Sequence, residues 1–167
     1  MPNDLPLPRL IERVDDLRAQ VARWHADRQR VALVPTMGNL HDGHLSLAAQ
    51  AREHADKVIA SIFVNPLQFG EGEDFESYPR TLADDRAKLA TVGADAVFHP
   101  AVDEMYPDGT PMVTEVRLPA LEAVLCGEHR DGHFAGVATV VTKLFGLVQP
   151  AVAVFGRKRA RAGKRRS

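Results

Sequence analysis

The feature that most constrains the fold is a change of pattern between residues 31 and 45. An apolar run at residues 31–34 is interrupted by Pro35 and passes through a glycine-bearing turn with two histidines three apart. At Leu45 the turn gives way to a helical pattern. A short apolar run bounded by proline and glycine is typical of a buried strand. The segment therefore predicts a strand, a turn and the start of a helix, the unit from which open α/β sheets are built.

Two glycines and two histidines in this turn suggest an anion site. The first backbone N–H groups of a helix lack partners, and the helix dipole places roughly half a positive charge there, so phosphate is favoured at this end. Gly38 and Gly43 allow a ligand to approach the backbone closely. His41 and His44 can each donate a hydrogen bond to an oxygen that gains charge during a reaction. The spacing is also compatible with an ordinary turn whose histidines cap the helix or bind a metal.

The remaining periodicity alternates between helix and strand. Apolar residues three and four apart predict helices over residues 9–27, 45–55, 82–93 and 137–148. Apolar runs predict further strands over residues 57–64, 95–99, 112–118 and 151–155. The run at 57–64 is apolar on both faces, as in a parallel strand covered by helices on both sides. We therefore predict an α/β fold with a mostly parallel, Rossmann-like sheet.

Charge is distributed unevenly along the chain. Residues 157–167 hold 7 of the 21 lysines and arginines and no acid, so residues 1–156 carry 14 basic residues against 22 acidic ones. A basic tail suggests contact with nucleic acid, but an acidic body without a basic face or interleaved aromatic residues is not typical of a dedicated nucleic-acid-binding protein. We predict no specific nucleic-acid partner.

Length and apolar pattern predict one domain in the cytoplasm. At 167 residues a single domain is expected, and 45% apolar residues are enough for a core. No apolar run reaches the roughly 20 residues of a membrane span, and the N-terminus lacks the pattern of a signal peptide. The single cysteine, Cys126, cannot form an internal disulfide. We expect a cytoplasmic protein without membrane contact.

A polar residue, Gln68, follows the predicted strand at 57–64. Ligands of open α/β sheets bind just beyond the carboxyl ends of the strands, so a polar side chain here is placed to meet a substrate. Its amide can donate to a carboxylate or hydroxyl and can accept from an amine. From the residues alone, a turn in which this amide bonds its own backbone is an equal alternative.

A second pair of histidines, His129 and His133, lies further along the chain. Their separation of four residues would allow zinc binding on a helix. Gly127 and Gly132 favour a loop instead, and the sequence offers no obvious third ligand. We therefore predict no metal site.

Three sequence motifs resemble those of a known family. Residues 35–47 read PTMGNLHDGHLSL, residues 61–69 read SIFVNPLQF, and residues 78–82 read YPRTL. The first resembles, almost letter for letter, the ATP-binding signature of the pantoate:β-alanine ligases of vitamin B5 synthesis, and the other two also resemble that family. The shorter H-x-G-H pattern belongs to the wider nucleotidyltransferase superfamily. The resemblance thus implies the Rossmann-like fold of that superfamily.

The resemblance also implies a ligase that uses ATP in two steps and works as a homodimer. The carboxylate of pantoate would attack ATP to give pantoyl adenylate, and β-alanine would then displace AMP. Magnesium would arrive with ATP, and no cofactor would be tightly bound. His41 and His44 would be catalytic, and Gln68 would bind pantoate and β-alanine. The implied ATP-binding residues are Met37, Gly38, Asn39, Leu40, His41, Asp42, Gly43, His44, Gly156 and Lys158.

The resemblance covers residues 9–156 and then stops. The family continues with Glu-Lys-Asp after the glycine that matches Gly156, whereas Arg157, Lys158 and Arg159 follow here. We predict an ATP- and pantoate-binding domain over residues 1–156, a disordered basic tail over residues 157–167, and no counterpart of the family's C-terminal domain. Two alternatives stay open: a truncated remnant that binds nucleotide with weak or no catalysis, and another adenylyltransferase of the same superfamily.

Overall fold

The computed structural model of the chain describes residues 4–125 and 132–157. Its strands are β1 Arg9–Ile11, β2 Val31–Thr36, β3 Lys57–Ile62, β4 Ala96–Phe98 and β5 Val152–Ala153. Its α-helices are α1 Val14–Ala26, α2 Asp42–His54, α3 Leu82–Thr91, α4 Val102–Met105, α5 Pro119–Leu125 and α6 His133–Val148. Two 3₁₀ turns lie at Pro66–Gln68 and Thr110–Met112. All five strands pair in parallel in the order β1-β4-β3-β2-β5, so the predicted fold class is confirmed.

The sheet is covered by helices on both faces. Alternate residues of a strand point to opposite faces, and in β2 the side chain of Leu33 packs with α1 and α6. Its neighbours Ala32 and Val34 pack with Ala51 of α2 on the other face. This two-sided burial explains why the strand sequences are apolar throughout. Within the described ranges, no helix is long and apolar enough to cross a membrane.

The order of the strands reverses at β2. From β2 the chain passes through α2 to β3 and through α3 to β4, each time moving in the same direction across the sheet. Helix α6 then returns the chain to the other side of β2, where β5 pairs with it. In open α/β sheets a crevice forms beyond the carboxyl ends of the strands at such a reversal, and ligands bind in it. The fold therefore places a binding cleft at the ends of β2 and β5.

Two predicted elements at the start of the chain were wrong in extent. Residues 9–11 form β1 and pair with β4, so the first helix begins at Val14 instead of at residue 9. Its first N–H group donates a hydrogen bond of 2.7 Å to Glu104 Oε1. The second helix begins at Asp42 instead of Leu45 because His41 caps it. In both cases the helix start depends on a partner that the usual capping residues do not reveal.

Two predicted strands were also wrong or too long. Residues 112–118 form no strand in the described part of the chain, and the N–H of Val116 donates instead to Thr139 Oγ1 at 2.9 Å. At the end of the sheet, β5 has two residues and is half-buried, whereas a buried strand over residues 151–155 was predicted. The basic tail beyond residue 157 lies outside the described residues, and its predicted disorder stays a prediction.

Candidate active site

The turn after β2 depends on two residues with left-handed backbone. Gly38 has φ of 81° and Asn39 has φ of 50°. A Cβ on Gly38 would lie 3.0 Å from Ile62 Cγ2 and 3.2 Å from Asp85 Oδ2, so glycine is needed there for space as well as for conformation. Asparagine is one of the few other residues that tolerate a positive φ. The sequence Gly-Asn thus turns the chain sharply between β2 and α2.

A buried carboxylate, Asp85 of α3, holds this turn in place. Its oxygens accept hydrogen bonds from the N–H of Asn39 at 3.0 Å and the N–H of Leu40 at 2.9 Å. The hydroxyl of Thr81 donates to the same carboxylate at 3.0 Å, and so does not form the capping box with Asp84 that its spacing suggests. Asp85 is completely buried. Hydrogen bonds to an ionised acceptor are stronger than those between neutral groups. The turn is therefore held firmly from the protein interior.

The two histidines of the turn have defined tautomers. The N–H of Gly43 donates to His41 Nδ1 at 3.0 Å, and the N–H of His41 donates to His44 Nδ1 at 3.2 Å. Because each Nδ1 accepts, the proton of each neutral ring is on Nε2. A Cβ on Gly43 would lie 2.8 Å from His41 Cε1, so a larger residue there would displace this ring from the helix start. The helix N-terminus therefore carries two Nε2–H donors whose rings lie 4.0 Å apart.

The His44 ring is kept neutral at physiological pH. Burial lowers the pKa of His44, the charge of neighbouring His41 lowers it further, and Asp85 opposes both effects. The neutral ring, with its proton on Nε2, still donates a hydrogen bond to a phosphate oxygen. It also adds no fixed charge to the cleft.

The opposite side of the cleft is organised by Asn65. Its Oδ1 accepts from the Tyr106 hydroxyl at 2.7 Å and from the N–H of Leu67 at 3.2 Å. Its Nδ2 donates to the Gly136 carbonyl at 3.0 Å and to Gln68 Oε1 at 3.1 Å. Burial raises the pKa of Tyr106, so its hydroxyl remains protonated and donates. All four hydrogen-bonding positions of this buried amide are thus used.

This network sets the orientation of Gln68. Because Gln68 Oε1 is held by Asn65, the NH2 group of the side chain is the part left to donate, and it has no hydrogen-bond partner within the described residues. The amide does not bond its own backbone, which excludes the turn amide that the sequence left open. Gln68 is thus presented as a donor, suited to a carboxylate or hydroxyl.

Helix α6 approaches this turn unusually closely at Gly136. A Cβ there would lie 2.3 Å from the carbonyl oxygen of Leu67 and 2.7 Å from the N atom of Gln68. These are backbone atoms, which cannot move aside as a flexible side chain can. One turn earlier, His133 Nδ1 lies 2.8 Å from the carbonyl oxygen of Gln68. The start of α6 is therefore fixed to the 3₁₀ turn that carries Gln68.

A cleft of about 520 Å³ lies between these two sides, at the strand reversal. Five of the predicted site residues line it: Met37, Gly38, His44, Gln68 and Gly156. Residues that the sequence did not assign to the site also line it, including Tyr78, His133, Phe134, Val140, Leu144 and Phe155. The structure therefore brings the two predicted halves of the site, the histidine turn and the glutamine, into one cavity.

The other predicted ATP-binding residues do not line the cleft or lie outside the described residues. Leu40 is buried in the core with Ala48, so it supports the turn from within. The remaining turn residues, Asn39, His41, Asp42 and Gly43, lie beside the cleft without lining it. Lys158, together with Cys126 and His129, lies outside the described residues. The ligand contacts assigned to all these residues stay predictions.

Three residues important to the site were missed. Asp85 could have been found, because it shares one helical face with Leu82 and Leu89, and an acid on an apolar face needs partners. His133 was considered as a zinc ligand and as part of a loop that the resemblance places near the active site, but it was given no role there. Asn65 gave no signal beyond its position after β3, because its partners Tyr106 and Gly136 are distant in sequence.

The solved structures that this chain resembles include pantothenate synthetases, which have the nucleotidyltransferase fold. The chain belongs to the pantoate-β-alanine ligase family, whose model matches residues 9–162. The resemblance seen in the sequence is thereby confirmed.

The chain aligns with only part of the length of its relatives. The chain is 60% identical to the pantothenate synthetase of Alkalilimnicola ehrlichii over 148 residues, which are 89% of this chain and 52% of that protein. The crystal structure of the Thermus thermophilus pantothenate synthetase superposes with a TM-score of 0.77 and 51% identity, covering 87% of this chain and 50% of that one.

A third relative is a ligand complex. The pantoate-β-alanine ligase of Francisella tularensis, complexed with β-γ ATP and β-alanine, has a TM-score of 0.79 and 36% identity. The alignment covers 87% of this chain and 55% of that one. The chain thus spans about half the length of the relatives it matches.

Proposed function

We propose that this chain binds ATP, pantoate and β-alanine and catalyses the ATP-dependent condensation of the two acids to pantothenate. One observation carries the proposal: the Nε2–H donor of His44, at a helix N-terminus, and the oriented NH2 group of Gln68 border the same cleft at the strand reversal. The Francisella tularensis relative is itself a complex with β-γ ATP and β-alanine. The alternative of another adenylyltransferase activity is less well supported than the ligase, because relatives at 54–60% identity carry the pantothenate synthetase name.

The first step requires a phosphate site next to a carboxylate site. The carboxylate of pantoate attacks the α-phosphorus of ATP, the bond to pyrophosphate breaks, and pantoyl adenylate forms. His44 Nε2–H and the N-terminus of α2 would stabilise the charge that develops on phosphate oxygens. The NH2 group of Gln68 would hold pantoate against the apolar face of α6. The work of the protein is therefore mainly positioning and charge stabilisation.

Magnesium, oligomeric state and location belong to the same proposal. Magnesium would enter as the complex with ATP, since it usually binds with substrate phosphates rather than in a protein cage. The chain would be a cytoplasmic homodimer. Exposed apolar side chains on residues 112–121 support an interface, because Met112 is 74%, Leu118 46% and Leu121 44% exposed. Sedimentation velocity of the purified chain would show a monomer if this part of the proposal is wrong.

Two substitutions on opposite sides of the cleft test the assignment of substrates. His44→Ala should weaken ATP binding roughly 10- to 100-fold, because a hydrogen bond to a charged group contributes about 1.5–3 kcal/mol. Gln68→Ala should weaken pantoate binding more than ATP binding. Titration calorimetry of both ligands with each variant measures the two effects.

The matched control is His54→Ala, at the opposite end of α2, where the side chain is exposed. It should leave both affinities unchanged. Equal losses for both ligands in both variants, or no ATP binding by the unmodified chain, would contradict the proposal. Pantothenate formed from ATP, pantoate and β-alanine then measures the complete reaction.

A further inference from the structure

One histidine of the cleft has the opposite tautomer to the histidines of the turn. His133 Nδ1 lies 2.8 Å from the carbonyl oxygen of Gln68. A carbonyl oxygen can only accept, so Nδ1 of this ring carries the proton and Nε2 of the neutral ring carries a free lone pair. The backbone thus fixes which nitrogen of His133 is available to a ligand.

The other titratable groups that line the cleft among the described residues are unsuited to accepting a proton. His44 has its proton on Nε2, because its Nδ1 is occupied by the N–H of His41. Tyr78 has its pKa raised, first by burial and second by the charge of Asp85, so it remains a protonated phenol. Among the described residues that line the cleft, His133 is the one whose second ring nitrogen, Nε2, can act as a base.

The proposed reaction needs such a base in its second step. β-Alanine in neutral water carries an ammonium group, which has no lone pair and cannot attack a carbonyl carbon. A positioned base that removes this proton typically accelerates such a reaction roughly 10²- to 10⁴-fold. The base must lie beside the acyl group, and His133 lines the same cleft as Gln68, the residue proposed to hold pantoate.

We propose that His133 Nε2 removes a proton from the ammonium group of β-alanine, so that the resulting amine can attack the acyl adenylate. This inference rests on the proposed function and assigns the acid–base residue of its second step. One proton passes from nitrogen to His133 Nε2, and the freed electron pair forms the bond to the acyl carbon. The bond from that carbon to the phosphate oxygen breaks, AMP leaves with its electron pair, and the second proton is released to water as the amide forms.

The tautomer can be measured on the chain as it exists, without any activity. Long-range ¹H–¹⁵N correlation spectra of the imidazole rings, assigned with His133→Asn, should show the proton of His133 on Nδ1. The spectra should show the protons of His41 and His44 on Nε2. A His133 ring protonated on Nε2 at about pH 8 would overturn the proposal, since that nitrogen would then be a donor to a carboxylate and could not be a base.

Two variants separate proton transfer from simple positioning of the Gln68 turn. The side chain of His133→Asn places an amide near the position of Nδ1, so it can still donate to the Gln68 carbonyl, but it has no base. His133→Ala removes both properties. Exchange of pyrophosphate into ATP in the presence of pantoate reports the first step, and the reaction of preformed pantoyl adenylate with β-alanine reports the second.

We expect both variants to slow the second step by about 100-fold or more and to change the first less than about threefold. Added imidazole should partly restore the second step in His133→Ala. Normal aminolysis by His133→Asn would overturn the proposal, because it would show that holding the turn is the whole role of His133. Absence of pyrophosphate exchange in the unmodified chain would instead contradict the proposed function, and the tautomer measurement would then decide the assignment of the base.

Discussion

The two turns that border the cleft are held in different ways. The turn after β2 is held by a carboxylate, Asp85, which receives its backbone N–H groups. The turn after β3 is held by an amide, Asn65, which both donates and accepts. A carboxylate can only accept, so it fixes the turn without using the Nε2–H donors of the two histidines, which remain available to an anion. An amide can also donate, and here the donor group of Asn65 binds Gln68 Oε1 and thereby fixes the orientation of the Gln68 side chain.

The two sides also differ in how they tolerate change. On the Asn65 side, α6 meets backbone directly at Gly136, and close-packed backbone has little room to relax. On the Asp85 side, the critical contacts are hydrogen bonds that a substitution weakens without a collision. Substitutions on the first side should therefore affect folding most, and substitutions on the second should affect ligand binding more.

The largest effect is expected for Gly136→Ala. The new Cβ would lie 2.3 Å from the Leu67 carbonyl oxygen, so α6 must move away from the turn. We expect the free energy of unfolding to fall by about 3 kcal/mol or more, at the upper end of the usual cost of overpacking. Urea denaturation followed by circular dichroism measures it.

The control for this prediction is Gly146→Ala on the same helix. A Cβ at Gly146 has no atom within 4 Å, so the change should stabilise the helix by roughly 0.5–1 kcal/mol. Equal effects of the two substitutions would show that the close contact at Gly136 does not limit packing.

An intermediate effect is expected for Asp85→Asn. The substitution keeps the shape but replaces one accepting oxygen by an NH2 group that faces a donor. The loss of a hydrogen bond to a buried charge should lower the free energy of unfolding by about 1.5–3 kcal/mol and weaken ATP binding as the turn loosens. Thermal denaturation with and without ATP measures both effects.

Asp84→Asn is the neighbouring control for this change. Asp84 is exposed and forms a surface ion pair with Lys88 at 2.8 Å, which contributes about 0.3–0.5 kcal/mol at most. If the two substitutions had the same effect on ATP binding, the turn would not depend on its buried carboxylate.

The smallest effect concerns pH. Because the folded protein lowers the pKa of His44 below 6.5, the unfolded chain binds a proton at this residue more readily than the folded one. The free energy of unfolding should therefore fall as the pH drops below about 6.5, and this contribution should be absent in His44→Ala. Urea denaturation of both proteins between about pH 5 and pH 8 tests the sign, and a wild-type protein that gained stability toward low pH relative to the variant would contradict it.

The sequence was sufficient to predict the α/β class and the family. The run at residues 57–64 indicated a strand buried on both faces, and the phrases around His41 and Gln68 identified the family. These features are local, because a strand, its turn and the next helix start lie within a few residues of one another.

The predictions that were wrong concern backbone segments held by residues distant in sequence. The N-terminus of α1 is capped by Glu104, and the N–H of Val116 bonds to Thr139 where a strand was predicted. The tautomer of His133 depends on a carbonyl of another element. No spacing rule within one segment could reveal such partners.

The position of β1 at the edge of the sheet affects the order in which the strands can pair during synthesis. Strand β1 lies at an edge, and its pairing partner is β4, with Arg9 opposite Ala96. Strands β2 and β3, which are joined by a single helix, can pair soon after they leave the ribosome. At roughly 5–20 residues per second, β1 emerges about 4 to 17 seconds before β4 has been made. Among the described strands, the first to be synthesised therefore stays unpaired until β4 has been made, and closing the loop between them costs more chain entropy than pairing β2 with β3.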